Sequence, residues 1–246
     1  MKHIQITLSL ICILVVASQT VAQQEKGNSD KRLLVFHKTA GFYHKSIPAG
    51  IAAIKKLGLE NGITVVASDD ATVFDTENLA QYKAIVFLST TGDVLNDAQQ
   101  SAFQDYIQKG GGFAGIHAAA DTEYDWPWYN QLVGAYFMSH PKPQKASVII
   151  EDRSHSATRH LTSPWVRFDE WYNYKSIVPG LKILCKLDER SYEGGANGPD
   201  HPIAWYRNFD GGRAFYTGGG HTEEAFEEPE FLQHLLGGIR YAMNME

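Results

Sequence analysis

Gly110-Gly111-Gly112-Phe113-Ala114-Gly115-Ile116-His117-Ala118-Ala119-Ala120-Asp121 is the stretch that decides the reading of this chain. The glycines end one element, Phe113 to Ile116 make a short apolar strand, and the three alanines suit the opening of a tightly packed helix. His117 then falls at the strand-to-helix turn. In α/β sheets that turn lies at the carboxyl edge, where ligands bind and helix N-termini offer unpaired N–H donors. A nucleophile elbow places Ser or Cys at this point within Gly-x-nucleophile-x-Gly. Here Gly115-Ile116-His117-Ala118-Ala119 keeps the small residues but carries an imidazole, which points towards acid/base, ligand-binding or metal-binding work.

The flanking sequence repeats a strand–helix alternation. Leu33 to His37, Ile63 to Ala67 and Ala84 to Leu88 are short unalternating apolar runs, the pattern of strands buried on both faces of a parallel sheet. Ser46 and Pro48 suit the start of a helix running from Ile47 to about Asn61, with Ile51, Ile54 and Leu57 at helical spacing. Asn96 suits the cap of a helix running to Lys109, which Gly110 ends. Four such alternations predict a doubly wound, mostly parallel α/β sheet. His44, in the loop after the first strand, is expected on the same side as His117.

Past Asp121 the alternation fades. Tyr124-Asp125-Trp126-Pro127-Trp128-Tyr129 reads equally as core or as a platform for sugar rings, with a short helix from Trp126-Pro127 to near Gly134. Strands are expected at Ala146–Ile150, Leu181–Leu187 and 201–206. In Phe168-Asp169-Glu170-Trp171-Tyr172 adjacent side chains diverge, so one of Asp169 and Glu170 enters a given pocket, and the sequence leaves open which. Arg213 to Thr217 is the last core strand, leaving through Gly218-Gly219-Gly220-His221. That exit repeats the logic of the opening stretch, and two His at neighbouring strand ends can reach one pocket. Pro229 starts a terminal helix with Phe231, Leu232, Leu235, Leu236 and Ile239 on its buried side.

Met1 to Ala22 has a charged start, an apolar run from Ile4 to Val16 and a small-residue end, the pattern of a secretory signal peptide. The run is too short for a stable membrane anchor. Residues 23–31 read as a polar tether, residues 32–246 as a single domain, and the destination as periplasmic or extracellular. Cys185 is the one cysteine outside the leader, so no internal disulfide is expected. A formal charge of −6 with scattered basic residues excludes a nucleic-acid surface.

Thr39-Ala40-Gly41-Phe42-Tyr43-His44, residues 110 to 117, Phe168 to Tyr172, and Gly220-His221-Thr222-Glu223-Glu224-Ala225-Phe226 together resemble ThuA-like, or trehalose-utilisation, proteins over nearly the whole mature chain. The resemblance implies a flavodoxin-like, three-layer α/β domain similar to class I glutamine amidotransferases, which use a Cys elbow with a later His and Glu. With His117 at the elbow and no Cys nearby, thiolate-dependent glutamine hydrolysis is excluded. The family association is with catabolism of trehalose and related disaccharides after oxidation to keto-sugars.

The partner implied is a small-molecule carbohydrate, and the first reading is an acid/base enzyme on an oxidised glycoside. A ketone acidifies the neighbouring C–H, so a base can remove that proton while an acid assists the leaving group or the carbonyl. His117 and His221 are the expected pair. Glu170 or Asp121 would orient an imidazole or take part directly, and His44, Trp171, His201 and Asp169 would line the sugar site. A metal variant is open, because His44, His117, His140, His201 and His221 with an acid suffice for Zn²⁺, although their spacing matches no compact metal motif. The alternative is a non-catalytic carbohydrate-binding protein, with the aromatic residues stacking on sugars.

Overall fold

The structure, a computed structural model, describes residues 31–245. The expected signal peptide and most of the tether lie outside the described residues. Five strands form the parallel half of one large sheet: β1 (Arg32–Phe36), β2 (Thr64–Ser68), β3 (Ala84–Leu88), β4 (Gly112–Ile116) and β11 (Gly212–Thr217), in the order β2-β1-β3-β4-β11. β1, β3 and β4 are buried throughout except at Arg32, which is why their sequences are continuous apolar or small-residue runs.

Helices α1 (Ile47–Glu60), α3 (Asp97–Gln108), α4 (Pro127–Val133) and α5 (Pro229–Ala242), with the single turn α2 (Thr76–Leu79), connect and flank these strands. Phe87 packs its ring on Phe103 of α3 at 5.3 Å and on Tyr129 of α4 at 5.7 Å. Its neighbour Leu88 faces Gly50 of α1, and α1 packs beside α5. Successive side chains of a strand point to opposite faces, so helices cover both faces and the sheet is doubly wound. The α/β class is the one the alternation predicts. Asn96 caps α3 in a full capping box with Gln99.

Beyond β11 the sheet continues antiparallel through β10 (Pro202–Phe209), β9 (Lys182–Asp188), β6 (Gln144–Ile150) and β7 (Trp165–Asp169), making nine strands. A separate pair, β5 (Tyr136–Ser139) and β8 (Asn173–Lys175), stands beside it. Among the described residues no helix is long and apolar enough to cross a membrane.

Three local expectations are corrected. Ser46 makes no side-chain cap for α1; its hydroxyl donates to the Gly220 carbonyl at 3.0 Å, tying the first loop to the last one. His117 to Asp121 form one 3₁₀ turn rather than the start of an α-helix. In α5 the inward face carries Phe231, His234, Leu235 and Ile239, while Leu232 and Leu236 are only half-buried.

Candidate active site

β4 lies between β3 and β11, with Ile116 level with Leu88 on one side and Thr217 on the other. The next residues, His117 and Gly218, therefore leave the carboxyl edge side by side. His117 sits at φ +50, a left-handed conformation that costs a non-glycine residue energy and persists where its surroundings hold it. Those surroundings are specific. Tyr216 donates its hydroxyl to the His117 carbonyl at 2.7 Å, the Tyr172 ring lies 4.2 Å from the imidazole, and His117 Nδ1 lies 2.9 Å from the Gly218 carbonyl oxygen. A carbonyl only accepts, so Nδ1 carries the proton and, in the neutral ring, Nε2 keeps a lone pair facing the cluster.

The Gly218–Gly220 run carries the chain from β11 to His221 between close neighbours. A Cβ on Gly219 would fall 2.4 Å from an Arg167 nitrogen, and Gly220 sits at φ +110, so both positions require glycine. Asp169, at the end of β7, holds this loop. Its carboxylate accepts the Gly220 N–H at 2.8 Å and the His221 N–H at 3.0 Å, and it pairs with Arg167 at 3.0 Å. His221 is set in place by backbone bonds to a buried, charge-paired acid.

Glu170 follows Asp169 and turns into the pocket. Its Oε2 lies 3.1 Å from His221 Nδ1 and 3.5 Å from His117 Nε2, and its Oε1 lies 3.0 Å from His140 Nδ1. His117 Nε2 and His221 Nδ1 are 3.2 Å apart, and the His44 ring stands edge-on to both at 4.8 and 5.3 Å. Burial alone would raise the Glu170 carboxyl, but the bonds and charges of His117 and His221 outweigh it and hold the group down to about 2. Burial opposes charge on His221 too, yet Glu170, helped by Asp169, raises it. Burial and the neighbouring imidazoles push His44 down to about 3. The cluster thus sets a charged Glu170 and a neutral His44 around a His221 biased towards its protonated form.

His44, His117 and Glu170 are 3 %, 0 % and 4 % exposed, so access to the cluster runs past His221 and His140, which keep 24 % and 42 % of their side chains open. His44, His117, Glu170 and His221 are also the residues that could hold a metal, each offering one ligand atom within 4.8 Å of the others.

The remaining candidates lie elsewhere or act indirectly. Asp121 is half-buried, with the Tyr124 hydroxyl 2.6 Å from Oδ1, and burial raises its carboxyl. Asp169 faces the loop rather than the pocket. Trp171 is 1 % exposed and donates its indole N–H to the Gln144 carbonyl, which leaves it no surface for a sugar. His201 is fully buried in a separate polar knot, 2.7 Å from Glu189 and 2.8 Å from the Tyr172 carbonyl, and so belongs to neither the sugar site nor the metal set. Trp126 and Trp128 pack edge-on to Phe103 on the α3 side, which decides the aromatic stretch as packing. Cys185 is buried in β9 and its thiol is pushed up by burial, so it supplies no nucleophile. A surface hollow of about 670 Å³, lined by Arg32, Tyr82, Tyr106 and Lys109, lies at the amino edge of the parallel strands, away from the cluster.

Sequence reading missed Tyr172, whose ring backs His117, and the exposed pair Phe42 and Tyr43 beside His44. The motif Gly41-Phe42-Tyr43-His44 was the available signal for the second of these, and the stretch Phe168 to Tyr172 for the first.

The family model described as ThuA, trehalose utilisation, matches residues 32–242. The chain belongs to the ThuA family. Membership of the ThuA family gives it a carbohydrate-related function. Among solved structures, a ThuA-like protein from Bacteroides uniformis shares 24 % identity at a TM-score of 0.75, covering 87 % of this chain and 91 % of that one. One from Parabacteroides merdae shares 19 % at 0.74, covering 87 % and 90 %. A β-galactosidase from Bacillus circulans sp. alkalophilus shares 10 % at 0.56, covering 86 % of this chain and 31 % of that one. At these identities the likeness speaks for the fold alone. No curated protein matches this ThuA chain.

Proposed function

We propose that the chain is a secreted carbohydrate-catabolism enzyme that applies acid/base chemistry to a glycoside or keto-sugar of the disaccharide type. The observation that carries the reading is the convergence of His117, His221 and Glu170, from three separate strand ends, within 3.5 Å of one another. His117 Nε2, its lone pair directed inward by the bond from Nδ1–H to Gly218, is placed to take the proton next to a ketone. His221, biased towards its protonated form by Glu170, is placed to protonate a carbonyl or a leaving oxygen. Asp121, raised by burial and bonded to Tyr124, is a second acid within electrostatic reach of His117 and His140. Phe42 and Tyr43, 66 % and 54 % exposed beside His44, supply aromatic surface for a sugar ring. The leader at residues 1–22 is what supports secretion.

The test is incubation of the mature protein with disaccharides and their 3-keto forms, read by mass spectrometry and NMR, with His117→Ala and His221→Ala in parallel. Turnover of a keto-sugar that both variants lose is the expected result. Binding without turnover in the wild type would replace this reading with a carbohydrate-binding role.

A further inference from the structure

We propose that His44, His117, Glu170 and His221 bind one divalent cation of the zinc class. Four ligand atoms lie within 4.8 Å of one another, and the three whose separations are fixed stand 3.1, 3.2 and 3.5 Å apart. Tetrahedral ligands at bond lengths of about 2.0–2.1 Å stand roughly 3.3–3.4 Å from each other, so the protein already holds these atoms at the separations of a ligand set.

Hydrogen bonding alone leaves the cluster under-supplied with protons. His117 spends its Nδ1 proton on the Gly218 carbonyl, so its Nε2, with Glu170 Oε2, presents electron pairs to a space where His221 Nδ1 can offer a single proton. His44, whose Nδ1 is buried without a hydrogen-bond partner, adds one ring nitrogen to the same space. A cation answers all of these electron pairs together. The supports around the ligands are those a metal site needs: Gly218 fixes the tautomer of His117, His140 lies 3.0 Å from the outer Glu170 oxygen, and Asp169 anchors the His221 backbone. Three imidazoles and one carboxylate favour zinc-class ions over Mg²⁺ and Ca²⁺, which take oxygen ligands.

The consequence for catalysis rests on the function proposed above, whereas the binding itself does not. A bound ion of this class polarises a carbonyl or hydroxyl oxygen. Ion and proton compete for the same lone pairs on His117 and His221, so the acid/base roles proposed above belong to the ion-free cluster.

The test uses the mature chain without a histidine tag, stripped with EDTA and reloaded with Co²⁺ or Zn²⁺, with metal content measured by plasma mass spectrometry. The expected result is about one equivalent per chain and a visible spectrum of low-symmetry Co²⁺ that Zn²⁺ displaces. Affinity should fall at least about tenfold in His117→Ala, His221→Ala and Glu170→Gln and stay unchanged in His160→Ala, a histidine outside the ligand set whose Nε2 lies 2.9 Å from the Glu230 carbonyl oxygen. Melting curves of each variant separate lost ligation from lost folding. Substoichiometric metal with no cobalt spectrum, or full binding by all three ligand variants, overturns the proposal. Metal binding without sugar turnover would leave the site standing and remove the function; turnover that survives complete chelation would leave the function standing and take the ion out of catalysis, the binding data alone deciding the site.

Discussion

His117 and His221, 104 residues apart in sequence, bring their ring nitrogens to 3.2 Å because β4 and β11 are parallel neighbours ending at the same level. Each histidine follows its strand at the carboxyl edge, and each is fixed by groups that do not face the pocket: Gly218, Tyr216 and Tyr172 for His117, and Asp169 for His221.

Asp169 should behave as a positioning residue. Asp169→Asn weakens the hold on the Gly220 and His221 amides and leaves buried Arg167 with Glu228 as its one carboxylate partner among the described residues. Breaking a buried pair costs about 3–5 kcal/mol, and the surviving Glu228 contact puts this case near 3. Chemical denaturation checks the stability. Loss of kcat with unchanged KM, together with a shifted His221 ring resonance in NMR, would distinguish a misplaced imidazole from general loosening.

His201→Ala should separate structure from function. It strips partners from Glu189 and the Tyr172 carbonyl and costs about 1–3 kcal/mol. The folded fraction should turn over substrate at the wild-type rate. A large loss of kcat at full folding would put His201 back in the site.

Phe42→Ala should act on binding. An aromatic face beside His44 that stacks on a sugar contributes about 1 kcal/mol, so KM should rise roughly fivefold with kcat unchanged. Steady-state kinetics, or sugar titration if turnover is absent, checks this.

Acid should destabilise the fold through His234. Burial, opposed only in part by the Ala157 carbonyl, lowers this imidazole to about 3 from an unfolded 6.5. Because the folded state resists the proton, this contribution to stability is full above about pH 6.5 and shrinks as pH falls below it. It amounts to roughly 2–3 kcal/mol lost by about pH 4.5. His44 and His201 are lowered as well and act in the same direction. His234→Gln should therefore be less stable at pH 7 but show a flatter fall in urea midpoint between pH 7 and 4.5.

The parallel half of the sheet was legible because its strands are buried on both faces and read as unbroken apolar runs, and that alone predicts His117 and His221 at neighbouring strand ends. The antiparallel half was harder. β7 turns Arg167 and Asp169 inward and leaves Val166 and Phe168 58 % and 45 % exposed, the reverse of a usual amphipathic strand. The inversion holds because the inward charges pair with each other and with Glu228, a partnership across 61 residues that no local pattern records. The same distance effect hid the fates of Trp171 and His201, whose polar atoms are satisfied by Gln144, Glu189 and Tyr172. It also kept Asp169 and Glu170 indistinguishable until the neighbours of each were in place.

The central claim, that protons move between substrate and the cluster, is tested most directly by deuterium exchange. A 3-keto-disaccharide is incubated in D₂O with the mature protein and the carbon beside the ketone is followed by NMR. The account predicts enzyme-dependent deuterium uptake there, slowed at least about 100-fold in His117→Ala and His221→Ala variants that melt like the wild type. Exchange that is equally fast in the wild type and both variants would contradict it.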